Sequence, residues 1–282
     1  MKDDIFTIGD FCFRMIYPGE IPIPENFRRF QGGTDPAYTY ILALSRDFPE
    51  PRGRVLTQRH DLLVTEEAGL ERRWLGDYAC IQEESETESR VFIDPRQLGL
   101  LELDPAFTAL LALERRQMAR DALILHCAYV EWEGEAILFS APSGTGKTTQ
   151  ANLWEKHRGA QTINGDRSLL RRIGGRWHAC GWPVCGSSGV CHNRALPIRA
   201  VVLLSQAPED RAERLGAMKA FTGLYSQITV NRWHRADTLR AMTLTEELIA
   251  SVPVYHLACT MEPTAVSALE AAMGCTGRSI LL

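Results

Sequence analysis

The stretch that decides the fold is Ala141-Pro-Ser-Gly-Thr-Gly-Lys-Thr-Thr149, a glycine-rich loop that ends in Gly-Lys-Thr-Thr. An apolar, strand-like segment at 135–140 comes directly before it, and a helix-like segment at 149–158 follows. Strand, glycine-rich loop and helix in this order are typical of the phosphate-binding loop of nucleotide-binding domains. The usual pattern begins with glycine, and this chain has the small residue Ala141 in that place.

Each position of the loop has a predicted role. Gly144 and Gly146 let consecutive backbone N–H groups converge on an anion, and the helix that follows adds the positive end of its dipole. Lys147 supplies a mobile charge to the outer phosphates, and Thr148 offers a hydroxyl to Mg²⁺. An ordinary glycine-rich turn is the alternative, but it would require neither the lysine nor the hydroxyl. The predicted nucleotide-binding residues are Ser143, Gly144, Thr145, Gly146, Lys147, Thr148 and Thr149.

Composition excludes several classes of protein. Of the 282 residues, 45% are hydrophobic and 23% are charged, as in an ordinary globular protein. The net charge of −4 argues against general nucleic-acid binding, and no apolar run approaches the roughly 18–20 residues that span a bilayer. The N-terminal residues lack an apolar signal core, so we expect a cytoplasmic protein with reduced cysteines and no membrane partner.

Hydrophobic patterning divides the chain into two parts. Residues 1–103 show short strand-like segments with turns, which predicts a small β-rich domain, and 104–121 is predicted to be a linking helix. Strands and helices alternate over 122–282, which is typical of an α/β sheet. The predicted strands are 5–8, 11–16, 37–43, 61–65, 74–81, 90–93, 122–131, 135–140, 161–164, 168–172, 176–180, 198–205 and 253–259. The later predicted helices are 147–158, 210–226, 236–251 and 263–273.

Two residues outside the loop are predicted to reach the phosphate site. If residues 132–134 form a turn, the resulting hairpin places His126 opposite about Ser140, the last residue before the loop. A histidine there can bind phosphate or relay a proton, although a core histidine is the alternative. Asp166 ends the short apolar segment 161–166, where a carboxylate can hold the metal that phosphoryl transfer requires. A plain turn aspartate in Asn-Gly-Asp-Arg is the alternative.

A second loop of small residues, Cys180-Gly-Trp-Pro-Val-Cys-Gly-Ser-Ser-Gly189, follows these segments. Ser187 and Ser188 are candidate hydrogen-bond donors to an acceptor or a phosphate, and a flexible surface loop is the alternative. The cysteines and histidines near this loop lack the paired spacing of a zinc site, so we do not expect zinc.

Together these residues resemble the catalytic domain of HPr kinase/phosphorylase, a family similar in fold to phosphoenolpyruvate carboxykinases. The resemblance covers about residues 122–275. It rests on Leu125-His126, on the segment 137–149, on Ile163-Asn-Gly-Asp166 and on Gly181-Trp-Pro-Val-Cys-Gly186. It implies an α/β kinase domain with a phosphate-binding loop, preceded here by the β-rich domain. It also implies a phosphotransferase that uses ATP and Mg²⁺ to phosphorylate a hydroxyl, either a serine of a peptide or protein or a small molecule.

By position, the resemblance makes Asp166, His126 and Lys147 the catalytic residues and makes Thr148 and Asp166 the metal ligands. The family commonly has an Asp-Asp pair where this chain has Gly165-Asp166. In the family, one of these carboxylates holds the metal and the other acts as the general acid and base. Here Asp166 must do both, or another residue must be the general base. The reverse phosphorylase reaction is left open.

Two other functions stay open beside the kinase. One is a nucleotide-dependent switch ATPase, and the other is a degenerate nucleotide-binding module that acts by binding a partner. In the kinase hypothesis the β-rich domain recognises the acceptor. The identity of the acceptor is not predicted. The oligomeric state is left open, with a homo-oligomer as one possibility.

Overall fold

The computed structural model describes residues 1–274, which form two compact units of mixed α/β structure. The first unit contains residues 1–120 together with 231–237, and the second contains 121–230 and 238–274. A large sheet lies at the centre of each unit. The end of the predicted kinase domain, 275–282, lies outside the described residues. No helix within residues 1–274 is long and apolar enough to cross a bilayer.

The first unit is built on an eight-stranded sheet with the order β1-β2-β3-β8-β7-β6-β5-β4. Its strands are β1 (Lys2–Ile8), β2 (Phe11–Tyr17), β3 (Tyr38–Leu44), β4 (Arg54–Arg59), β5 (Leu62–Glu67), β6 (Leu70–Leu75), β7 (Ala79–Ser85) and β8 (Glu88–Ile93). Its helices are α1 (Glu25–Arg28), α2 (Asp104–Ala109) and α3 (Leu113–Met118), with a 3₁₀ helix at Pro95–Glu102. The hairpin between β1 and β2 is as predicted, with Ile8 paired to Phe11.

One strand prediction in this unit was wrong, and one strand was not predicted. The single strand expected over 74–81 is interrupted, because β6 ends at Leu75 and a turn that contains Gly76 at φ +51° precedes β7. Strand β4 was not predicted at all. It pairs only with β5 at the edge of the sheet, and four of its six residues are exposed. It therefore lacks the apolar stripe that marks a strand in a sequence.

The single linking helix expected over 104–121 is also wrong. The structure has two short helices, α2 and α3, because Ala112 between them adopts a left-handed conformation at φ +45°. Asp104 lies inside α2 and does not cap it, and its carboxylate accepts a hydrogen bond from the Asn26 amide at 2.8 Å. Residues 104–120 belong to the first unit.

The second unit is built on a sheet with the order β10-β9-β12-β13-β14-β16-β15, and β11 pairs with β9. Its strands are β9 (Leu123–Trp132), β10 (Glu135–Ser140), β11 (Gln161–Asn164), β12 (Arg167–Ile173), β13 (Arg176–Cys180), β14 (Ala195–Gln206), β15 (Arg211–Arg214) and β16 (Val254–Cys259). Its helices are α4 (Lys147–Arg158), α5 (Ala217–Tyr225), α6 (Arg235–Ser251) and α7 (Thr264–Ala272), with a 3₁₀ turn at Gly186–Ser188. Strand β10 runs parallel to β14, and β14 runs parallel to β16. The carboxyl ends of these three strands therefore meet at one edge.

The helix predicted over 210–226 begins later than expected. Residues Arg211–Arg214 form β15, an edge strand antiparallel to β16, and α5 starts only at Ala217. The mostly polar residues of β15 carry no apolar alternation, so only the pairing with β16 shows that they form a strand. Helix α4 has the predicted bounds.

Helix α4 is held on the sheet by Trp154, whose side chain is fully buried. The Trp154 ring centroid lies 4.9 Å from that of Trp132 on β9 and 6.2 Å from that of Phe139 on β10. Burial of large aromatic side chains supplies much of the free energy that fixes a helix on a sheet. This packing fixes the start of α4 directly after the phosphate loop.

Candidate functional site

The predicted phosphate loop connects β10 to α4. Gly144 has φ +78° and Gly146 has φ +118°, a backbone conformation that favours glycine. Gly146 is the residue that immediately precedes α4, so the unpaired N–H groups of the first helical turn lie at the loop. Ser143 and Thr148 are exposed. The loop therefore presents an accessible anion site.

The Lys147 side chain folds back and contacts the backbone of its own loop. Its Nζ donates hydrogen bonds to the carbonyl oxygens of Ala141 at 3.0 Å and Pro142 at 3.3 Å, and the residue is 8% exposed. Burial lowers the pKa of the Lys147 ammonium, and the negative charge of Asp166 acts in the opposite direction. Two neutral carbonyls are weaker partners than a phosphate, so a bound phosphate can draw this ammonium away.

Asp166 lies at the bend between β11 and β12. Its Oδ1 lies 3.5 Å from His126 Nε2, and its Oδ2 accepts a hydrogen bond from Arg167 Nε at 3.1 Å. Burial would raise the pKa of Asp166, but the hydrogen bond with His126 and the charge of Arg167 outweigh burial and lower the pKa below its usual value. Asp166 is therefore an ionised carboxylate at neutral pH. Its backbone carbonyl accepts from the Cys127 N–H at 2.9 Å, and Cys127 pairs with Ser140, so the structure brings Asp166 next to the strand that leads into the predicted loop.

His126 lies close to the predicted place, one residue out of register. Ser140 pairs with Cys127 rather than with His126, and the Ser140 hydroxyl donates to the His126 carbonyl at 2.8 Å. The His126 backbone N–H donates to the Gln227 carbonyl at 3.0 Å, and Gln227 Oε1 lies 3.4 Å from His126 Nδ1. Both ring nitrogens thus face oxygens, so any N–H of this ring is aimed at Asp166 or at Gln227.

Asn164 organises the site and was not predicted as a functional residue. Its side chain is fully buried. Its Nδ2 donates to the carbonyls of Trp182 at 2.8 Å and Val184 at 3.1 Å, and its Oδ1 accepts from the backbone N–H of Asp166 at 2.9 Å and of Arg167 at 3.0 Å. A single amide thus fixes the loop at 181–186 to the turn that carries Asp166. The Asn-Gly-Asp turn was visible in the sequence, but its partners across the fold were not.

Residue 165, where the sequence resemblance led us to expect a second carboxylate, has no room for a side chain. A Cβ atom at Gly165 would lie 2.1 Å from Ser188 Oγ and 2.3 Å from Ser188 Cβ. The Ser188 hydroxyl donates to the Cys185 carbonyl at 2.7 Å and accepts from the Val190 N–H at 3.2 Å. Ser188 is thus occupied within its own loop rather than offered to a ligand, whereas Ser187 is exposed.

Thr148 and Asp166 suit Mg²⁺ only if phosphate oxygens complete its shell. Proteins usually hold Mg²⁺ through one or two carboxylates, with substrate phosphates and water as the other ligands. One ionised carboxylate and one exposed hydroxyl fit that pattern. Residues 1–274 contain no group of three or more His, Cys, Asp or Glu side chains that could hold a metal without such help.

A comparison with protein families finds a match that covers residues 97–273. A family model described as SynChlorMet cassette protein ScmC matches residues 97–273, which is more than half of the chain. Among solved structures, the HPr(Ser) kinase/phosphatase from Coxiella burnetii is similar at 10% sequence identity and a TM-score of 0.30, over 51% of this chain and 88% of that one. That likeness is too weak to inform the chemistry of the site. No curated protein matches the chain.

Proposed function

The chain belongs to the family of the SynChlorMet cassette protein ScmC, and we propose that it is a kinase that moves the γ-phosphoryl group of ATP to an acceptor hydroxyl. One observation supports the proposal most: the Asp166 carbonyl accepts from the Cys127 N–H at 2.9 Å, and Cys127 pairs with Ser140, the residue directly before the loop that carries Lys147. A phosphate-binding loop binds a triphosphate, and a neighbouring carboxylate and histidine are what transfer to a hydroxyl requires in addition.

The loop binds and orients the donor. The backbone N–H groups of Gly144–Gly146 and of the first turn of α4 surround the phosphates, and Lys147 leaves the carbonyls of Ala141 and Pro142 to pair with the outer phosphates. Thr148 and Asp166 would hold Mg²⁺, which neutralises phosphate charge when it is bound. These groups act by positioning and by electrostatic stabilisation of the transferred group.

Asp166 receives the acceptor. Its lowered pKa makes the carboxylate a weak base but keeps it ionised, so it can accept a hydrogen bond from the attacking hydroxyl. In a loose phosphoryl-transfer transition state, the hydroxyl needs to lose little of its proton before the new P–O bond forms, so a weak base is sufficient. His126, beside the same carboxylate, receives or returns the proton as the transfer completes.

A specific observation also supports a second function, a nucleotide-binding module without transfer activity. Ser188 occupies the space that a side chain at residue 165 would need, so the second carboxylate of the related family has no room here. Tight binding of ATP with neither hydrolysis nor transfer would favour this module over the kinase.

The acceptor is proposed to be encoded near this chain. The family is described as a cassette protein, so the first acceptors to test are the peptides and proteins of such a cassette, followed by small hydroxyl compounds. Recognition of a polypeptide acceptor is assigned to the β-rich first unit, which contains a large sheet of its own.

The experiment is labelled phosphate transfer from γ-³²P ATP with Mg²⁺ to that panel of acceptors. Lys147→Ala is expected to lower transfer roughly 100-fold or more, because it removes the charge on the outer phosphates. Lys156→Ala is the matched control, since Lys156 lies on the same helix, α4, and is exposed. Transfer that survives Lys147→Ala would show that this site does not carry the reaction.

A further inference from the structure

The sheet of the first unit ends in an open edge at β4. Strand β4 pairs with β5 on one side, and no other strand within residues 1–274 pairs with it. The outer edge of β1, at the opposite end of the sheet, is covered instead: the Thr7 N–H donates to the Phe30 carbonyl at 2.8 Å, and the Gly32 N–H donates to the Ile5 carbonyl at 2.7 Å. An uncovered sheet edge is a template for a further strand, and β4 is such an edge.

Gln58 presents its backbone at this edge. Arg59 pairs with Leu62 across a two-residue turn, so these two residues exchange hydrogen bonds. Bonded and non-bonded pairs alternate along an antiparallel ladder, so the next pair, Gln58 with Leu63, is a non-bonded one. The N–H and C=O of Gln58 therefore point away from β5, and the residue is exposed. A strand added to this edge would pair with Gln58.

The charge of this edge selects the kind of strand that can pair with it. Residues 51–60 contain Arg52, Arg54 and Arg59 and no Asp or Glu, whereas residues 1–120 together contain 15 Lys or Arg and 21 Asp or Glu. All three arginines are exposed. Opposite charges across two paired strands stabilise the pair, and like charges destabilise it. The edge is thus a basic strip in an acidic unit, and it favours an acidic strand.

The same features disfavour pairing with a second copy of the chain. A second β4 would bring arginines against arginines. The register with β5 also shifts between Val55 and Thr57, and such a bulge shortens the length over which another strand can pair. Backbone pairing alone is therefore brief, and a bound segment needs side-chain contacts as well.

A pocket at the end of β4 can supply such a contact. It measures about 390 Å³, and its lining includes Gln58 and Arg59 of β4 together with the apolar side chains of Phe48 and Trp74. The Trp74 indole N–H donates to the Pro49 carbonyl at 3.1 Å, which fixes the ring without a ligand. Peptides that add a strand to a sheet gain affinity from the backbone and specificity from pockets for their side chains. This pocket has room for one large apolar side chain.

We propose that the open edge of β4 and this pocket form a docking site for an extended, acidic segment of a polypeptide acceptor. The segment pairs with Gln58 as an added strand, lies against Arg54 and Arg59, and places an apolar side chain beside Phe48. The inference deepens the proposed function and rests on it only for the role of the peptide as the acceptor.

The experiment is fluorescence anisotropy of a labelled, end-capped peptide of about eight residues in which Glu and Val alternate, titrated with the full chain without ATP. The same peptide with Lys in place of Glu is expected to bind at least about tenfold more weakly. Arg54→Gln/Arg59→Gln should weaken the acidic peptide about tenfold. Arg14→Gln/Arg90→Gln is the matched control, because it removes the same charge at exposed arginines of β2 and β8, which are interior strands of the same sheet.

Hydrogen exchange locates the bound peptide. The Gln58 amide should exchange rapidly in the free chain and slowly with the acidic peptide, whereas the amides of β1 should not change. A Phe added at one end of the peptide, but not at the other, should tighten binding, because the pocket lies at one end of β4. Phe48→Ala should remove that gain.

Equal losses in the two double variants, equal binding of the acidic and basic peptides, or no protection of Gln58 would overturn the proposal. A dimer that forms through β4 and excludes the peptide would overturn it as well. If Arg54→Gln/Arg59→Gln does not fold, a fully N-methylated acidic peptide decides, since it cannot donate as a strand and must bind more weakly than its parent. Docking at β4 with no phosphate transferred to any serine-containing version of the peptide would support the docking site and refute the proposed function.

Discussion

Gly165 offers a sharp test of how the site is built. A Cβ atom at this position would lie 2.1 Å from Ser188 Oγ, 2.3 Å from Ser188 Cβ and 3.5 Å from the Cys185 carbonyl. The backbone at Gly165 is not among the left-handed glycines. A penalty for Gly165→Ala therefore reflects the contact with Ser188 alone. The turn at Gly186–Ser188 must move by about 1 Å to restore ordinary contact distances.

The magnitude follows from the overlap. Extra atoms forced into a packed region cost about 1–3 kcal/mol, and we expect Gly165→Ala to lower the free energy of unfolding by that amount. Gly216→Ala is the matched control, because a Cβ there meets nothing within 4 Å and its φ is −73°. Removing the obstacle in Gly165→Ala/Ser188→Gly should recover part of the loss. Urea unfolding of the native chain, Gly165→Ala, Ser188→Gly and the double variant gives the coupling as a double-mutant cycle.

The refuting result is additivity. If the double variant loses the sum of its two single losses, Ser188 is not the obstacle and another cause must exclude a side chain at 165. If Gly165→Ala costs no more than Gly216→Ala, the turn yields freely. Glycine at residue 165 would then reflect no steric constraint, and Gly165→Asp would be accommodated as well.

Three further changes have expected outcomes. Asn164→Ala removes four hydrogen bonds of a buried amide and should lower the free energy of unfolding, measured with urea, by about 2–4 kcal/mol. It should also lower transfer activity. A variant as active and as stable as the native chain would contradict the organising role of Asn164. Burial would raise the pKa of Glu71 in the first unit, but His234 and neighbouring arginines hold it at about 2, against 4.5 for a free glutamate. The ionised Glu71 carboxylate therefore stabilises the folded chain by about 3 kcal/mol above about pH 4.5, and this stabilisation is lost as the pH falls toward 2. Glu71→Gln should make the free energy of unfolding, measured with urea, fall less steeply between these pH values. An unchanged fall would contradict this. Trp154→Ala should lower the free energy of unfolding by about 3–5 kcal/mol in the same assay. Trp154→Phe should lower it less, because it keeps a ring and the lost indole N–H has no hydrogen-bond partner. Equal losses for the two variants would show that the N–H matters.

The strand, loop and helix over 135–158 could be predicted because their signal is local. The strand, the two glycines, the lysine and the helix are contiguous, and α4 has the predicted bounds. His126 could be placed to within one residue, since a hairpin register follows from the length of its turn. Asp166 could be placed because it closely follows a short apolar strand, although its ion pair with Arg167 and its contact with His126 emerge only in three dimensions.

The rest depended on contacts that are distant in sequence. Asn164 gains its importance from carbonyls about 20 residues later, and Ser188 from its approach to Gly165. Ala112 adopts a left-handed conformation and interrupts a helix that its neighbours favour. Alanine is a good helix former, so its residue type gives no sign of this interruption. Residues 231–237 join the first unit although the sequence places them deep in the second, because long-range packing leaves no periodic trace.

The most direct test of the central claim is to find where the γ-phosphate of ATP goes. Mass spectrometry and ³¹P spectra of the reaction with a cassette peptide should show a phosphate ester on a hydroxyl, formed with the native chain and with Lys156→Ala but not with Lys147→Ala. Release of inorganic phosphate alone, or an ester that still forms with Lys147→Ala, would contradict phosphoryl transfer at this site.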